Sequence, residues 1–375
     1  MKKALATILA LVMAIGLCSV SWATDPAVAK VGNQEYATLA EAITAAQAGD
    51  TIVLTADVNN GDGIVVTSGK NFTLDFAGHT YTITQNVVGS TGTESQCFQL
   101  LKDSTITMKN GTIVADYTGA RMIIQNYCNL TLDNMKLDAT AGTNNVGYVV
   151  SNNCGNVVIK NGTTITAKTT GVAFDVYGGF QNYGDVSVTL EAGATVNGKV
   201  EVARDTGTQN QNRNTLTVTG GTVNGELVVT ENEKTEVSVT GGTFSSDVSA
   251  YAPEGTPVAM VGNDYAVGSS AISAAANGGK TVIVVKAGPI NGVDAGKSIT
   301  VNRGVTGVTV NGVPVTGGSY TVPARYYYYN STTTDTKTTD TKGSPKTFDA
   351  GIALYVGMAL TSAAGVAFVG KKRED

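Results

Sequence analysis

Side chains that could do chemistry are sparse in this chain, and their spacing limits what they can do. Lys109, Asp133, Lys160 and Glu191 fall at one place in successive short β-type segments, and Asp75 joins them if the register slips by one residue. Alternating charge at a fixed place has two meanings. It can line an acid–base groove, or it can form a ladder of cross-strand ion pairs worth roughly a few tenths of a kcal/mol each. The series sets no two carboxylates side by side, and Thr219 and Thr240 continue it uncharged, so the ladder is the better reading. His79 is the one histidine. Alone, and with no Cys or Asp close to it in sequence, it supplies neither a multi-histidine zinc site nor a triad, and reads as a turn residue in AGHT. No metal and no cofactor is expected. Cys128 and Cys154 occupy nearly matching places in NYCNLTLDN and NNCGNVVIKNG, either as small core residues or joined in a disulfide, while Cys97 lies in a different segment.

Recognition chemistry is concentrated in two insertions. DVYGGFQNYGD carries Tyr177, Phe180 and Tyr183 among glycines and amides; ARDTGTQNQNRN carries Arg204, Asp205 and Arg213. Aromatic faces beside amide and guanidinium donors can stack on a sugar ring and bond its hydroxyls. The alternative is that the aromatics pack back onto the scaffold.

The scaffold must come from a repeat. TLDFAGHT, ITMKNGTI, LTLDNMKL, VVIKNGTT, VTLEAGAT, LTVTGGTV and VSVTGGTF share one design: alternating apolar and polar residues, a Gly or Asn turn, then a second short strand. Recurrence in fixed order is the mark of a solenoid whose units bury a core only by stacking. The alternation points Ile106 and Met108, Leu130 and Leu132, Val157 and Ile159, Val188 and Leu190, Leu216 and Val218, and Val237 and Val239 inward. A second inward ladder follows the turn: Ile113, Leu137, Ile165, Val196, Val223 and Phe244. CFQLL, RMIIQN, GYVVSN and VAFDVY supply a third strand per coil. Three strands per coil with Gly and Asn corners, and the phrase LDFAGHTYTI, resemble the right-handed parallel β-helix of the pectate-lyase-like superfamily. The resemblance implies an all-β solenoid over 51–250. Relatives of that kind include polysaccharide lyases and hydrolases, which need clustered carboxylates with a basic group or calcium. The competing fold is an array of antiparallel β-sandwiches.

A solenoid end needs a cap. Residues 24–50 supply one: YATLAEAITAAQAG places Leu39, Ala42, Ile43 and Ala46 on one helical face, with Thr38 and Glu41 as a capping box and Gly49 as a stop. GNDYAVGSSAISAAANGGKTVIVVKAG parallels GNQEYATLAEAITAAQAGDTIVLTAD and belongs to a smaller β-rich module over 251–325. Lacking the charged face of the first copy, it gives no firm reason for a helix. Residues 330–343, rich in Thr, Asp and Lys, bury nothing and make 326–343 read as a disordered spacer, whose opening Tyr326 to Tyr329 are either an edge strand or an exposed adhesive patch.

The two ends speak of export. Lys2 and Lys3, the apolar run Ala4 to Leu17 and the small-x-small site ending at Ala23 form a signal peptide over 1–23. A lipoprotein use of Cys18 is disfavoured by bulky Leu17 before it, and a retained anchor by the shortness of the run. Residues 351–370 are uncharged and long enough to span a bilayer, with Lys371, Lys372 and Arg373 on the cytoplasmic side. Ser344, Pro345, Lys346 and Thr347 before them resemble the sorting signal of Gram-positive surface proteins, although Phe348 stands where that pattern has Gly. The resemblance implies a sortase acting at Thr347, with peptidoglycan as the acceptor; the alternative is a plain membrane anchor. A net charge of −5 disfavours nucleic acid. The expected role is a surface adhesin or structural coat meeting a glycan, a host or a neighbouring cell. A polysaccharide lyase or hydrolase is the alternative, and a spacer without ligand the third possibility.

Overall fold

The computed structural model describes residues 26–179, 182–203 and 212–324 of the 375-residue chain. The signal peptide with Ala23, the spacer, the Ser344–Thr347 signal and the apolar 351–370 segment lie outside the described residues. Among the described residues no helix is long and apolar enough to cross a membrane.

The chain is mostly β, and its strands stack in parallel, coil on coil. One ladder runs Leu130↔Val157, Val157↔Val188, Val188↔Leu216 and Leu216↔Val237, with Leu132, Ile159, Leu190, Val218 and Val239 in step beside it. A second runs Ile113↔Leu137↔Ile165↔Val196↔Val223↔Phe244. A third forms a separate seven-stranded sheet from Ile64–Val66 to Leu227–Val229. The alternation seen in the sequence is the cause. Every second side chain enters the stack, and the inward residues of the first two ladders are buried, except Val237 near the end, which is half-buried. Each buried Leu or Ile contributes about 1.5–3 kcal/mol by leaving water.

The corners need unusual backbone. Asn110 and Asn134 adopt φ of 56° and 54°, a conformation that Asn tolerates, and the Asn134 amide donates to Asn110 Oδ1 at 3.2 Å. Gly111 follows because a Cβ there would lie 2.1 Å from the Phe76 Cβ. Inside the other corner, fully buried Asn126 and Asn152 form a file: Asn126 Nδ2 donates to Asn152 Oδ1 at 3.3 Å, and Asn126 Oδ1 accepts the Cys128 N–H. Buried amides are tolerable only when bonded in this way.

At the N-terminal end, helix α1 (Leu39–Ala45) starts at a Thr38–Glu41 capping box and buries Leu39, Ala42 and Ile43. Two short strands that the sequence did not reveal, Ala29–Val31 and Gln34–Tyr36, complete this cap as an antiparallel pair. The same unit recurs after the last coil. Strands Val258–Val261 and Asp264–Val267, helix α2 (Ser269–Asn277) and strand Val282–Lys286 repeat it in register. Val31↔Gln34 and Val31↔Ile52 are answered by Val261↔Asp264 and Val261↔Val282. Helix α2 is therefore real, though it lacks a side-chain cap; Ile272 and Ala276 hold it by burial in a second, smaller core. Tertiary packing, not propensity, decides such a helix. The second unit joins the solenoid through antiparallel pairs Gly242↔Val267, Thr243↔Ala266 and Phe244↔Tyr265.

Candidate functional site

The two insertions leave consecutive coils, and their described parts are lashed together. Gly178 O accepts the Asn212 N–H at 3.0 Å and its side-chain amide at 2.9 Å, while Gly178 N donates to Asn214 Oδ1 at 2.6 Å. The Arg213 N–H donates to Asp185 Oδ1 at 2.9 Å. Tyr183 lies against Tyr127 with ring centroids 4.7 Å apart, and Lys102 Nζ donates to Asn182 O at 3.0 Å. Tyr183 thus packs onto the solenoid flank while staying half-exposed, as does Tyr177, and Arg213 is exposed. Phe180, Arg204 and Asp205 lie outside the described residues.

The charge series resolves into discrete cross-strand ion pairs, with Glu191 in none of them among the described residues. Asp75 sits directly opposite Lys109 with no register slip, and their side chains pair at 3.2 Å; Lys160 reaches Asp133 at 3.9 Å. Burial works against the Asp75 charge, but the Ala77 N–H, the Asn110 amide and the Lys109 ammonium outweigh it and hold its carboxyl below the usual range. His79 is not isolated. Stacking brings Asp57 of the preceding coil within 3.1 Å of Nδ1, and the Thr80 N–H and then His79 depress the Asp57 carboxyl. The pair is surface-exposed, with no nucleophile among its described partners.

Cys97, Cys128 and Cys154 are free buried thiols, so the disulfide alternative does not hold. Burial pushes Cys97 up to about 12. Burial, then the neighbouring Cys154, does the same to Cys128. Thiols held protonated this way are poor nucleophiles and poor metal ligands. Among the described residues no group of three His, Cys, Asp or Glu is placed to hold a metal ion. Comparison with known proteins adds nothing: no family model, no curated protein and no solved structure matches the chain.

Two features escaped the sequence. On the outer side of the seven-stranded sheet, Asp175 and Glu201 face each other on adjacent coils. Lys199 Nζ lies 3.0 Å from Glu201 Oε1, and Tyr148 OH donates to Glu201 Oε2 at 3.2 Å. Asp175 is fully buried, accepting from the Asn152 N–H at 2.6 Å and the Ser151 hydroxyl at 3.3 Å. A register irregularity between Val172 and Phe174 aligns the two carboxylates, which is why spacing alone hid them. The second feature is a groove of about 540 Å³ beside the joint with the second cap unit. Three stacked turns, 192–195, 219–222 and 240–243, line it together with 267–271.

Proposed function

We propose that this is an exported surface protein whose right-handed, pectate-lyase-like β-helix presents a glycan-recognition surface rather than a catalytic one. The observation that carries this reading is the lashing of the two insertions through Gly178, Asn212 and Asn214. The described stretches around Gly178, Asp185 and 212–214 are tied to each other and to the coils before a ligand arrives, so binding there loses less conformational entropy. Tyr177, Tyr183 and Arg213 offer aromatic faces and a guanidinium there, with Phe180, Arg204 and Asp205 in the same insertions. Display on a Gram-positive wall, through a sortase acting at Thr347, completes the proposal. Supporting it are the residues of the two ends. A glycan array probed with the purified full chain, beside a degradation assay on acidic polysaccharides, tests it; binding without turnover is expected. Loss of the protein from the wall fraction in Thr347→Ala tests the anchoring.

The Asp175–Glu201 pair favours a second reading, a glycoside hydrolase. Strands about 4.8 Å apart bring carboxylates close to the roughly 5–5.5 Å separation that retaining enzymes use. It ranks second because Asp175 is buried beyond the reach of a sugar carbon. Turnover by the full chain that is abolished in Glu201→Gln would reverse the order.

A further inference from the structure

The groove beside the second cap unit has its own chemistry. None of its lining residues carries a charge. Its volume, about 540 Å³, falls within the range of small-ligand sites, roughly 300–1,000 Å³. Its floor is a file of hydroxyls locked in register: Thr195 opposite Thr222, and Thr222 opposite Thr243, with Thr219 and Thr240 at the preceding corners. Several of these hydroxyls spend their proton inside the protein. Thr219 donates to Leu190 O, Thr240 to Val218 O, both at 3.3 Å, and Thr243 to Thr222 at 3.1 Å. Their oxygens therefore face a ligand chiefly as acceptors. The complementary ligand is rich in hydroxyls and carries no full charge: no charged side chain lines the groove to offset the loss of water, and the uncapped first turn of helix α2 at Ser269–Ala271 adds N–H donors for the ligand's own oxygens.

Spacing narrows the class further. The file repeats at the strand separation of about 4.8 Å, which is close to the length of one pyranose ring. Three stacked turns then match about three sugar units lying along the stack axis. We infer that this groove binds a linear neutral glycan, with one sugar against each of the three turns. The inference rests on the glycan-binding reading above, but it places a site away from the insertions and names a neutral ligand class.

Calorimetry of the full chain with linear neutral di-, tri- and pentasaccharides, beside an oligogalacturonate of matched length, tests it. Affinity is expected to rise from the disaccharide to the trisaccharide and then level off, with the acidic oligomer weaker. Thr222→Val with Thr243→Val keeps the β-branched shape and removes two oxygens; it should weaken trisaccharide binding at least tenfold. Thr219→Arg, at an exposed corner, should block the groove without touching the core and guards against misfolding of the first variant. Neutral binding that survives both variants but falls in Tyr177→Ala or Arg213→Ala would overturn this inference and leave the glycan reading standing. Preference for the acidic oligomer, unaffected by the groove variants, would overturn it as well. Absence of binding to any glycan would overturn both.

Discussion

The two copies of the strand–strand–helix–strand unit share a register but not a surface. In the terminal copy, directly opposed Lys30 and Glu35 occupy places that Met260 and Tyr265 fill in the internal copy, and exposed Ala37 stands for buried Val267. Among the described residues only the internal copy has a neighbour on that side, the last coil, which it meets through Tyr265, Ala266 and Val267. The backbone thus does one job twice, and side chains decide whether the unit ends a stack or joins two. Charge on an open edge is a known defence against unwanted strand pairing. The far end of the second module shows another: Pro314 sits in strand Val313–Val315, where it removes a donor.

The sharpest way to break this comparison is a pair of aspartates. Val267→Asp buries an unpaired charge in the core and should cost more than about 3 kcal/mol. Ala37→Asp, at the aligned exposed place, should stay within about 0.5 kcal/mol. Equal losses in urea denaturation would show that the two faces are not different. Helix starts come next. Thr38→Ala removes half a capping box and should cost about 1 kcal/mol. The aligned Gly268→Ser ought to help on capping grounds alone, yet it should destabilise: Gly268 has φ 81°, and a Cβ there would lie 2.6 Å from Thr240 O. A gain in melting temperature for Gly268→Ser would contradict the geometry.

Smaller in stability, but informative, is the swap of surfaces. Lys30→Met with Glu35→Tyr gives the terminal unit the internal unit's apolar pair. Light scattering should then report association rising with concentration, while the parent chain stays unassociated under the same conditions. The smallest effect is acidic. Asp75 has a depressed folded pKa, so its contribution is present above the unfolded value of about 3.9 and is lost as pH falls through the folded value. Asp75→Asn should therefore narrow the stability difference between pH 6 and pH 3. An unchanged acid limb in that variant would remove the cross-strand ion pairs from the account.

How much of this was written in the sequence varies with the kind of contact. Both inward ladders were legible residue by residue, because a period of two survives any loop length. The capping box at Thr38 was legible for a similar reason, being local. The strands Ala29–Val31 and Gln34–Tyr36 were not, since short segments holding Lys30 and Glu35 have little strand character and exist by pairing. Helix α2 was obscured because it lacks the charged face of the first copy and is held by burial instead. Asp57 beside His79, and Asp175 opposite Glu201, depend on how far each coil travels before it returns. Corner lengths vary from coil to coil, so such neighbours emerge only from the stack. The groove needed even more, because it belongs to the joint between two units and to neither alone.

That joint has a mechanical consequence. Adjacent coils are riveted along several strands, whereas strand pairing across the joint is confined to three residue pairs, Gly242↔Val267 to Phe244↔Tyr265, helped by Lys286 Nζ donating to the carbonyls of Ser249 and Ala252 and by Val258 and Val267 buried in the same apolar core as the coils. Tension drawn along the stack passes through its layers in series, and the layer with the fewest rivets yields first. Pulling the chain from its two sides is expected to open this seam among the early steps, paying out residues 245–257, which single-molecule stretching would register as one discrete extension.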